Sequence, residues 1–491
     1  MSRSRALPCA LVVAGLVAAS MTALAQDSES VALLPAPALA AGPDDTFFLT
    51  SGSWGQDYED QWALRRIGCL EVARTNSAWA VPGSGSHSVI VAVIDTGVDY
   101  LHPDLPLDSL WRNSPEQLNG LDDDGNGYVD DVIGWDFVEG SNNPWDRTGH
   151  GTHVAGIIAA ATNNGTGIAG VNPHARIMPL KVLNAVGRGR SSQIAAAMFY
   201  AADKGARVIN LSLGGDELSQ LERRALRFAV DSGALVVVAA GNTSRSTDGY
   251  GLADLPGVLT VAATGRDDAR APFSNWGRGV RVAAPGVDIL SLRARGSDLL
   301  LASGANASVR GSAAVGSDRR YLRASGTSFA AAFVSGVASL LLARNPELSP
   351  EQVARVIEHS ARDLAPSGVD QLTGYGLVDA QAALAADPGF YVEASIDRVE
   401  ITREGRRDVV RVIGTADADR FAEATLEILP AGDASFEIVP QQIEESVRGD
   451  VIASFDARLL ERSPEWTLRL VTRHADGTSR ETRYVLTPDE V

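Results

Sequence analysis

The fold is decided by Val89-Ile-Val-Ala-Val-Ile-Asp95-Thr-Gly97, an apolar run that ends in a carboxylate and a glycine turn. A continuous run of β-branched residues is typical of a strand that is buried on both faces of a parallel sheet. In open sheets of this kind, ligands and functional groups gather at the carboxyl ends of the strands. The segment therefore predicts a central strand that carries Asp95 to the edge where a site would lie.

Further along the chain, short apolar runs alternate with helical stretches rich in alanine. The predicted strands cover 207–211, 234–240 and 258–262, and the predicted helices cover 194–202 and 221–232. This alternation indicates an α/β fold, a doubly wound and mostly parallel sheet, which we expect to form one domain over residues 57–389. Within it, residues 293–320 are rich in Gly, Ala and Ser without a clear period and predict a long loop.

After Pro388 the helical patterns stop and strand patterns follow one another, at 408–413, 424–429, 467–471 and 481–486. Turn signals such as Ala475-Asp476-Gly477 separate them. The change predicts a separate antiparallel β domain over residues 390–491, resembling a sandwich.

The N-terminus has the three-part pattern of a cleaved export signal, with Arg3 and Arg5, an apolar run over 6–17, and Ala23-Leu-Ala25 before Gln26. We predict a signal peptide over 1–25 and a linker or short pro-region over 26–56. No later segment reaches the ~20 apolar residues of a membrane-spanning helix. The mature protein is therefore expected to be secreted, to the periplasm or the medium, without a transmembrane segment.

Net charge and cysteine content exclude some classes of partner and one means of stabilising the fold. The formal net charge is -18, with acidic residues spread along the chain, which argues against nucleic acid as a partner. Of two cysteines, Cys9 leaves with the signal peptide, so Cys69 cannot form an internal disulfide. We expect Cys69 to pack as a small apolar residue, and some other device to stabilise the exported fold.

Three segments carry candidate catalytic residues: Asp95 at its strand end, His150 at the start of a helix in Gly149-His-Gly-Thr-His153, and Ser328 at the start of the apolar helix that ends at Ala343. Each residue alone has a commoner explanation as a turn residue or helix cap. Together they supply the carboxylate, imidazole and hydroxyl that acyl transfer needs, in one of the chain orders known for this geometry.

Three other hydrolase classes fit less well. An aspartic protease needs two Asp-Thr-Gly carboxylates, and the chain has one in an α/β setting. A zinc hydrolase would need a glutamate base beside His150 and His153 and a third ligand, and neither is visible. An α/β-hydrolase needs a second glycine after its serine and a different order of the three residues.

Residues from about 57 to 386 resemble the subtilase family of serine peptidases (peptidase family S8) in four segments: Ile94-Asp-Thr-Gly97, His150-Gly-Thr-His-Val-Ala-Gly156, Ala239-Ala-Gly-Asn242 and Gly326-Thr-Ser328. The resemblance implies a subtilisin-like fold in which Ser328 is the nucleophile, His150 the general base and acid, and Asp95 the orienting carboxylate. It implies that the Asn242 amide donates to the oxyanion. The expected function is a secreted serine endopeptidase, a monomer that acts on proteins and peptides through an acyl-enzyme.

The resemblance also implies substrate contacts. Ser212-Leu213-Gly214 is similar to the edge segment that pairs with the peptide main chain, and Gly187 to Gly189 to the opposing segment. An extended peptide would add a strand between them. The alternative is a pair of ordinary glycine turns.

An acidic loop over 122–131 suggests structural calcium. Its side chains occupy positions 1, 3, 5 and 9 of a calcium loop, with glycine at 6, and the predicted ligands are Asp122, Asp124, Asn126, Asp130, the Tyr128 carbonyl and Asp131 in place of the missing glutamate. The alternative is a solvated acidic turn, but so many carboxylates repel one another without a cation.

A second loop, 163–170, contains a G-x-G-x-x-G match that follows a helix rather than a strand, which excludes dinucleotide binding. It resembles a subtilase calcium loop, in which Asn164 and the carbonyls of Thr162, Thr166 and Ile168 join Asp104, with Asp57 as a further candidate. We hypothesise that Ca²⁺ at both loops replaces the missing disulfides.

Three features depart from the family pattern. About 30 residues between signal and catalytic unit are few for a folding-assisting propeptide, Phe329 stands where a methionine is usual, and the 293–320 insertion lies close to the nucleophile in sequence. Two other functions stay open: a catalytically silent, calcium-stabilised binding protein, and a secreted esterase, which shares the acyl chemistry.

Overall fold

The computed structural model describes residues 43–69, 78–80, 88–215, 218–255, 257–297, 313–433 and 437–487. The predicted signal peptide and residues 26–42 lie outside this part of the chain. The helices, in chain order, are α1 Thr46–Leu49, α2 Trp62–Arg66, α3 His150–Ala159, α4 Ser191–Asp203, α5 Gln220–Asp231, α6 Thr327–Arg344, α7 Pro350–Ser360 and α8 Ala380–Ala385.

The strands of the large domain form two sheets. Seven strands lie in the order β2-β3-β1-β4-β5-β6-β7, and every neighbouring pair is parallel. Three short strands form an antiparallel sheet in the order β8-β10-β9. The ten strands are β1 Ile90–Asp95, β2 Trp135–Asp136, β3 Arg176–Lys181, β4 Val208–Leu211, β5 Leu235–Ala239, β6 Val258–Thr264, β7 Val280–Pro285, β8 Ile289–Leu292, β9 Ala314–Val315 and β10 Tyr321–Ala324.

The large sheet is covered by helices on both faces, as predicted. Along β1, Val91 and Val93 point into a core shared with α3, α6 and α7, whereas Ala92 and Ile94 point into a core shared with α4 and α5. Both faces of the strand are therefore buried, which is why its sequence is apolar without alternation. The predicted doubly wound, mostly parallel sheet is confirmed.

The predicted loop over 293–320 is not entirely loop. Ala314–Val315 forms β9, which pairs with β10, and Arg295 forms an ion pair with the buried carboxylate of Asp99. Residues 298–312 lie outside the described part of the chain. The ends of the insertion are thus fixed by a short strand and a charge pair, which the Gly-rich composition did not indicate.

Part of the predicted linker packs onto the large domain. In residues 43–56, the side chains of Phe47 and Phe48 are buried in the core, and the Phe47 N–H donates to the Gly167 carbonyl at 2.8 Å. The sequence prediction drew its domain boundary at residue 57, because the Ala, Pro and acidic composition ahead of that point hides two core residues.

The C-terminal region is an antiparallel β structure, as predicted. One sheet has the order β11-β12-β15 and the other β14-β13-β16-β17, and they enclose a core that includes the fully buried Trp466. The strands are β11 Val392–Glu404, β12 Arg407–Ala418, β13 Phe421–Pro430, β14 Glu437–Ile443, β15 Val447–Asp456, β16 Trp466–His474 and β17 Ser479–Leu486.

Of the described helices, α6 alone is long and apolar enough to cross a membrane, and nearly all of it is buried inside the protein. It packs against α3 and against strands β4 to β7. The apolar character of this helix is explained by its place in the core, with Ser328 in its first turn.

Candidate active site

Asp95 and His150 meet at the carboxyl edge of the large sheet. Asp95 is the last residue of β1, and His150 is the first residue of α3. The His150 Nδ1 atom lies 2.8 Å from Oδ1 and 2.9 Å from Oδ2 of Asp95, whose side chain is fully buried. Burial lowers the pKa of the His150 imidazole, but the Asp95 charge and hydrogen bond outweigh it, so this pKa ends above its ordinary value.

A second buried carboxylate, Asp146, anchors the start of α3. It accepts hydrogen bonds from the backbone N–H groups of Thr148, Gly149 and Thr152 at 2.7–3.0 Å, and from the hydroxyls of Thr96 and Thr152 at 2.9 and 2.7 Å. Asp146 thereby holds the backbone that leads into α3, and the Gly151 N–H donates to the Thr96 hydroxyl oxygen at 3.0 Å. Sequence reasoning missed Asp146, although an aspartate just before a helix is a signal for this role.

Ser328 lies beside this pair. It occupies the first turn of α6 and is 6% exposed, and the ring of the next residue, Phe329, lies 5.7 Å from the His150 ring between centroids. The Ser328 hydroxyl donates to the Ser212 carbonyl oxygen at 3.1 Å. In this arrangement of the described residues, no hydrogen bond joins that hydroxyl to His150.

The segment under Ser328 is held by a chain of buried hydrogen bonds. The Ser335 hydroxyl donates to Asn210 Oδ1 at 2.9 Å, the Asn210 amide donates to Ser212 Oγ at 2.8 Å, and the Ser212 hydroxyl donates to the Ser328 carbonyl at 2.9 Å. β4 and α6 are thus tied together through the side chains of Asn210, Ser212 and Ser335 and the carbonyl of Ser328, and all four residues are buried. Asn210 and Ser335 were not predicted, because each stands alone in an apolar segment.

Asn242 follows β5 and faces the start of α6. Its Oδ1 atom accepts hydrogen bonds from the Thr327 N–H at 2.8 Å and the Thr327 hydroxyl at 3.0 Å. Because Oδ1 is held, the amide nitrogen is the end of the side chain left to donate. Gly241, with a φ of 104°, precedes it, and a Cβ there would lie 2.4 Å from Asn275 Nδ2, so only glycine fits.

Gly189 of one predicted substrate segment and Leu213 and Gly214 of the other line the same cavity. Ser212 is buried, whereas Gly187 lies outside the cavity wall, in an exposed turn that begins at Asn184.

His153 is buried, and its contacts differ from those expected if it shared a metal ion with His150. Its Nε2 lies 2.9 Å from the Leu322 carbonyl, and its ring packs 4.2 Å from the Phe329 ring between centroids. Burial lowers the pKa of this imidazole to about 3.

Three carboxylates converge in the acidic loop. Glu116, Asp124 and Asp131 each place an oxygen within 4.8 Å of the others, and Glu116 and Asp131 are buried. Lys204 Nζ lies 2.5 Å from Asp124, and the Tyr200 hydroxyl donates to Asp131 at 2.5 Å. Asp124 and Asp131 were predicted ligands, whereas Glu116 was missed because it precedes the acidic motif in the chain.

The other predicted ligands of this loop bind its own backbone. Asp122 accepts from the N–H groups of residues 125–127, and Asp130 from those of residues 119 and 120. Asn126 accepts from the Tyr128 N–H through Oδ1 and donates to Asp131 through Nδ2. The structure therefore brings together a smaller set of ligands than the motif predicted.

In the second loop, Asp104 lies against the predicted residues. It accepts hydrogen bonds from Asn164 Nδ2 at 2.7 Å and the Ile168 N–H at 2.9 Å. The Thr166 N–H donates to Asn164 Oδ1, and the Thr162 hydroxyl contacts the Ala160 carbonyl at 3.5 Å.

Asp45, from the predicted linker, joins this second loop. It accepts from the N–H groups of Asn163 and Asn164 and is fully buried. The further candidate Asp57 is wrong, since its side chain is 97% exposed and its ion pair is with Arg266.

Both loops gather oxygen atoms of the kind that bind a hard cation, although in the first loop Lys204 already pairs with Asp124. Burial raises the pKa of Asp104 to about 6, and the nearby Asp45 charge adds to the effect. Among the described residues, neither of these two acids forms an ion pair with a basic side chain. Oxygen ligands of this type are those that Ca²⁺ prefers. Carboxylates brought together in this way are stabilised when a divalent ion neutralises them.

Comparisons with known proteins cover the large domain. The model of the subtilase family matches residues 86–376. A thermophilic serine proteinase of Bacillus sp. (strain AK1) is 39% identical over 310 residues, which are 63% of this chain and 65% of that protein. Thermitase of Thermoactinomyces vulgaris is 36% identical over 59% of this chain and 86% of that one.

One more relative and one solved structure are also similar to this chain. A cell wall-associated protease of Bacillus subtilis is 36% identical over 58% of this chain and 27% of its own length. This chain therefore spans less than two thirds of some of its relatives. Among solved structures, a protease from Pseudoalteromonas arctica matches with a TM-score of 0.52 and 29% identity, over 70% of this chain and 99% of that one. On the family match and these similarities, the chain belongs to the subtilase family of serine-type endopeptidases.

Proposed function

We propose that this chain is a secreted serine endopeptidase in which Asp95, His150 and Ser328 form the catalytic triad and Asn242 binds the oxyanion. The observation that carries the proposal is the contact of His150 with both Asp95 oxygens, next to a helix start that bears Ser328. A carboxylate, an imidazole and a hydroxyl in this order along a proton path are what acyl transfer requires.

In the proposed reaction, the Ser328 hydroxyl leaves the Ser212 carbonyl and turns to His150 Nε2. The imidazole takes the hydroxyl proton as Oγ bonds to the peptide carbonyl carbon, and the carbonyl oxygen gains the negative charge. His150 then gives the proton to the departing amine as the C–N bond breaks. A water molecule then attacks the acyl carbon while His150 takes its proton. His150 returns the proton to Ser328 Oγ as the bond between Oγ and the acyl carbon breaks, which releases the acid product.

The oxyanion is stabilised by the Asn242 amide and the Ser328 N–H. Thr327 fixes the amide orientation, since it binds Oδ1 through both its N–H and its hydroxyl. The start of α6 adds the positive end of the helix dipole. Donors held in advance cost no reorganisation when the charge develops.

Peptide substrates bind between Gly187–Gly189 and Ser212–Gly214, adding an extended strand at this edge. Calcium stabilises the fold at Glu116, Asp124 and Asp131, and at Asp104, Asn164 and Asp45 with nearby carbonyls. A bound ion would neutralise the charge of these acids and would take no part in the chemistry. Export rests on the pattern of residues 1–25 and on relatives such as the cell wall-associated protease.

The test is covalent labelling with a fluorophosphonate, followed by peptide mapping and casein hydrolysis. We expect label on Ser328 and loss of both label and proteolysis in Ser328→Ala. Ser325→Ala, which removes an exposed hydroxyl three residues earlier, should keep both. A protein that stays unlabelled and leaves casein intact would be a binding protein, and one that turns over simple esters but not casein would be an esterase.

A further inference from the structure

The cavity between the two substrate segments has a volume of about 140 Å³. Its lining includes Gly189, Ser191, Leu213, Gly214 and Tyr250. Leu213 and Gly214 follow Ser212, whose carbonyl accepts the Ser328 hydroxyl, so the cavity adjoins the segment that contacts the proposed nucleophile. A side chain of a peptide held between the segments would enter it.

Glu222 lies in the wall of this cavity and is 4% exposed. It is the third residue of α5, and its Oε2 atom accepts hydrogen bonds from the N–H and the hydroxyl of Ser219 at 2.9 and 2.7 Å. Among the described residues, no donor bonds to its Oε1 and no cation pairs with it. Arg188 and Arg190 are exposed in the nearby turn and form no ion pair with Glu222.

The cap of α5 does not explain the negative charge. α7 has the same capping box with a neutral partner, in which Gln352 Oε1 accepts from the Ser349 N–H at 2.9 Å and the Gln352 N–H donates back to Ser349. A glutamine therefore suffices for this structural role. Glu222 is a mostly buried carboxylate whose Oε1 atom accepts no hydrogen bond from the described residues, so this oxygen is available to a cation in the cavity.

We infer that Glu222 selects peptide substrates that place a lysine or arginine side chain in this cavity. The inference rests on the proposed function and names its substrate class. The aliphatic part of the side chain packs against Leu213 and the neighbouring apolar wall, and the ammonium or guanidinium donates to Glu222 Oε1. A hydrogen bond between an ammonium or guanidinium and a carboxylate is stronger than one between neutral groups.

The test is the profile of cleavage across a peptide library in which each position on either side of the scissile bond is varied. Matched peptides with lysine or its neutral isostere norleucine are then compared at the selected position by kcat/KM. We expect a preference for lysine of about 10- to 100-fold, the range for hydrogen bonds to charged groups. In Glu222→Gln, which keeps the capping box, this ratio falls to about 1.

Two controls separate charge from structure. Ser219→Ala breaks the cap but keeps the carboxylate, so the lysine preference should persist while the melting temperature falls. Asp231→Asn removes an exposed charge at the end of the same helix and should leave the ratio intact. Cleavage without a lysine or arginine preference, or a preference that survives in Glu222→Gln, overturns the inference. Failure of the proposed function looks different, since no peptide is cut and Ser328 is not labelled.

Discussion

The Nδ1 atom of His150 lies within 2.9 Å of both carboxylate oxygens of Asp95, at the junction of β1 and α3. Asp95 also accepts the Thr96 N–H at 2.7 Å, and its side chain is fully buried. The contact places the imidazole proton on Nδ1 and leaves the Nε2 lone pair available. The orientation of His150 is therefore set before a substrate arrives.

The pH dependence of activity follows from this contact. The His150 pKa is raised above its ordinary value near 6.5 because the Asp95 charge outweighs the effect of burial. A base must be neutral to act, so kcat/KM should be low at acid pH and rise as the imidazole loses its proton. We expect the midpoint of this rise above about pH 6.5, measured from initial rates on a peptide substrate.

The Asp95→Asn variant tests the cause of that midpoint. Without the carboxylate, the pKa of His150 should fall, so the midpoint moves to lower pH, and kcat should drop by on the order of 10⁴ because the tautomer is no longer fixed. Asp203→Asn, which removes an exposed carboxylate of α4, is the control. An unshifted midpoint in Asp95→Asn would contradict the assignment.

The oxyanion assignment predicts graded losses at Asn242 and Thr327. Asn242→Ala should lower kcat by about 10² to 10³ with little change in KM, because the lost bond forms mainly in the transition state. Thr327→Val removes only one of two bonds to Asn242 Oδ1, so its loss should be smaller. Equal kcat for wild type and Asn242→Ala would remove Asn242 from the mechanism.

The fold of the large domain was predictable because strands and helices leave local patterns in the sequence. Much of the site depends instead on contacts between residues far apart in the chain. Residues such as Val91 and Ala92 face different cores, so an unbroken apolar run reports burial on both sides. Asp95, His150, Ser328 and Asn242 stand in recognisable motifs. The link between Ser328 and Ser212 spans 116 residues, and its geometry depends on how α6 meets β4.

The acidic loops also contain residues whose roles could not be predicted from local sequence patterns. Glu116 and Asp45 precede the motifs they join and carry no pattern of their own, so folding alone brings them into place. Conversely, Asp122 and Asp130 match a calcium motif, but their carboxylates accept hydrogen bonds from backbone N–H groups of the same loop. Short acidic side chains bind nearby N–H groups readily, and a motif does not distinguish this from metal ligation.

Removal of calcium should lower thermal stability. An ion at 100 times its dissociation constant stabilises by about 2.7 kcal/mol, so exhaustive dialysis against EDTA should lower Tm by on the order of 5 °C, reversibly. Asp104→Asn and Asp124→Asn should each lose part of this difference. Asp57→Asn, which alters an exposed residue paired with Arg266, should keep all of it. An identical Tm with and without EDTA would show that calcium does not stabilise the fold.

Resistance to peroxide should follow from the identity of the residue after Ser328, the proposed nucleophile. Phe329 has no sulfur, and its ring packs between His150 and His153. The sulfur residues that the structure describes, Cys69, Met178 and Met198, are all fully buried, and burial raises the pKa of the Cys69 thiol. Oxidation needs an accessible sulfur, so activity should survive hydrogen peroxide at concentrations that oxidise exposed methionine.

The matched variant is Phe329→Met, which places a thioether beside Ser328. Peroxide should convert this sulfur to a sulfoxide, and the added polar oxygen next to the nucleophile should lower kcat progressively with time of exposure. Mass spectrometry of the peptide that contains residue 329 should show a gain of one oxygen in step with the loss of activity. Rapid inactivation of the wild type, with no oxygen gained at residue 329, would place the sensitive group elsewhere and contradict the prediction.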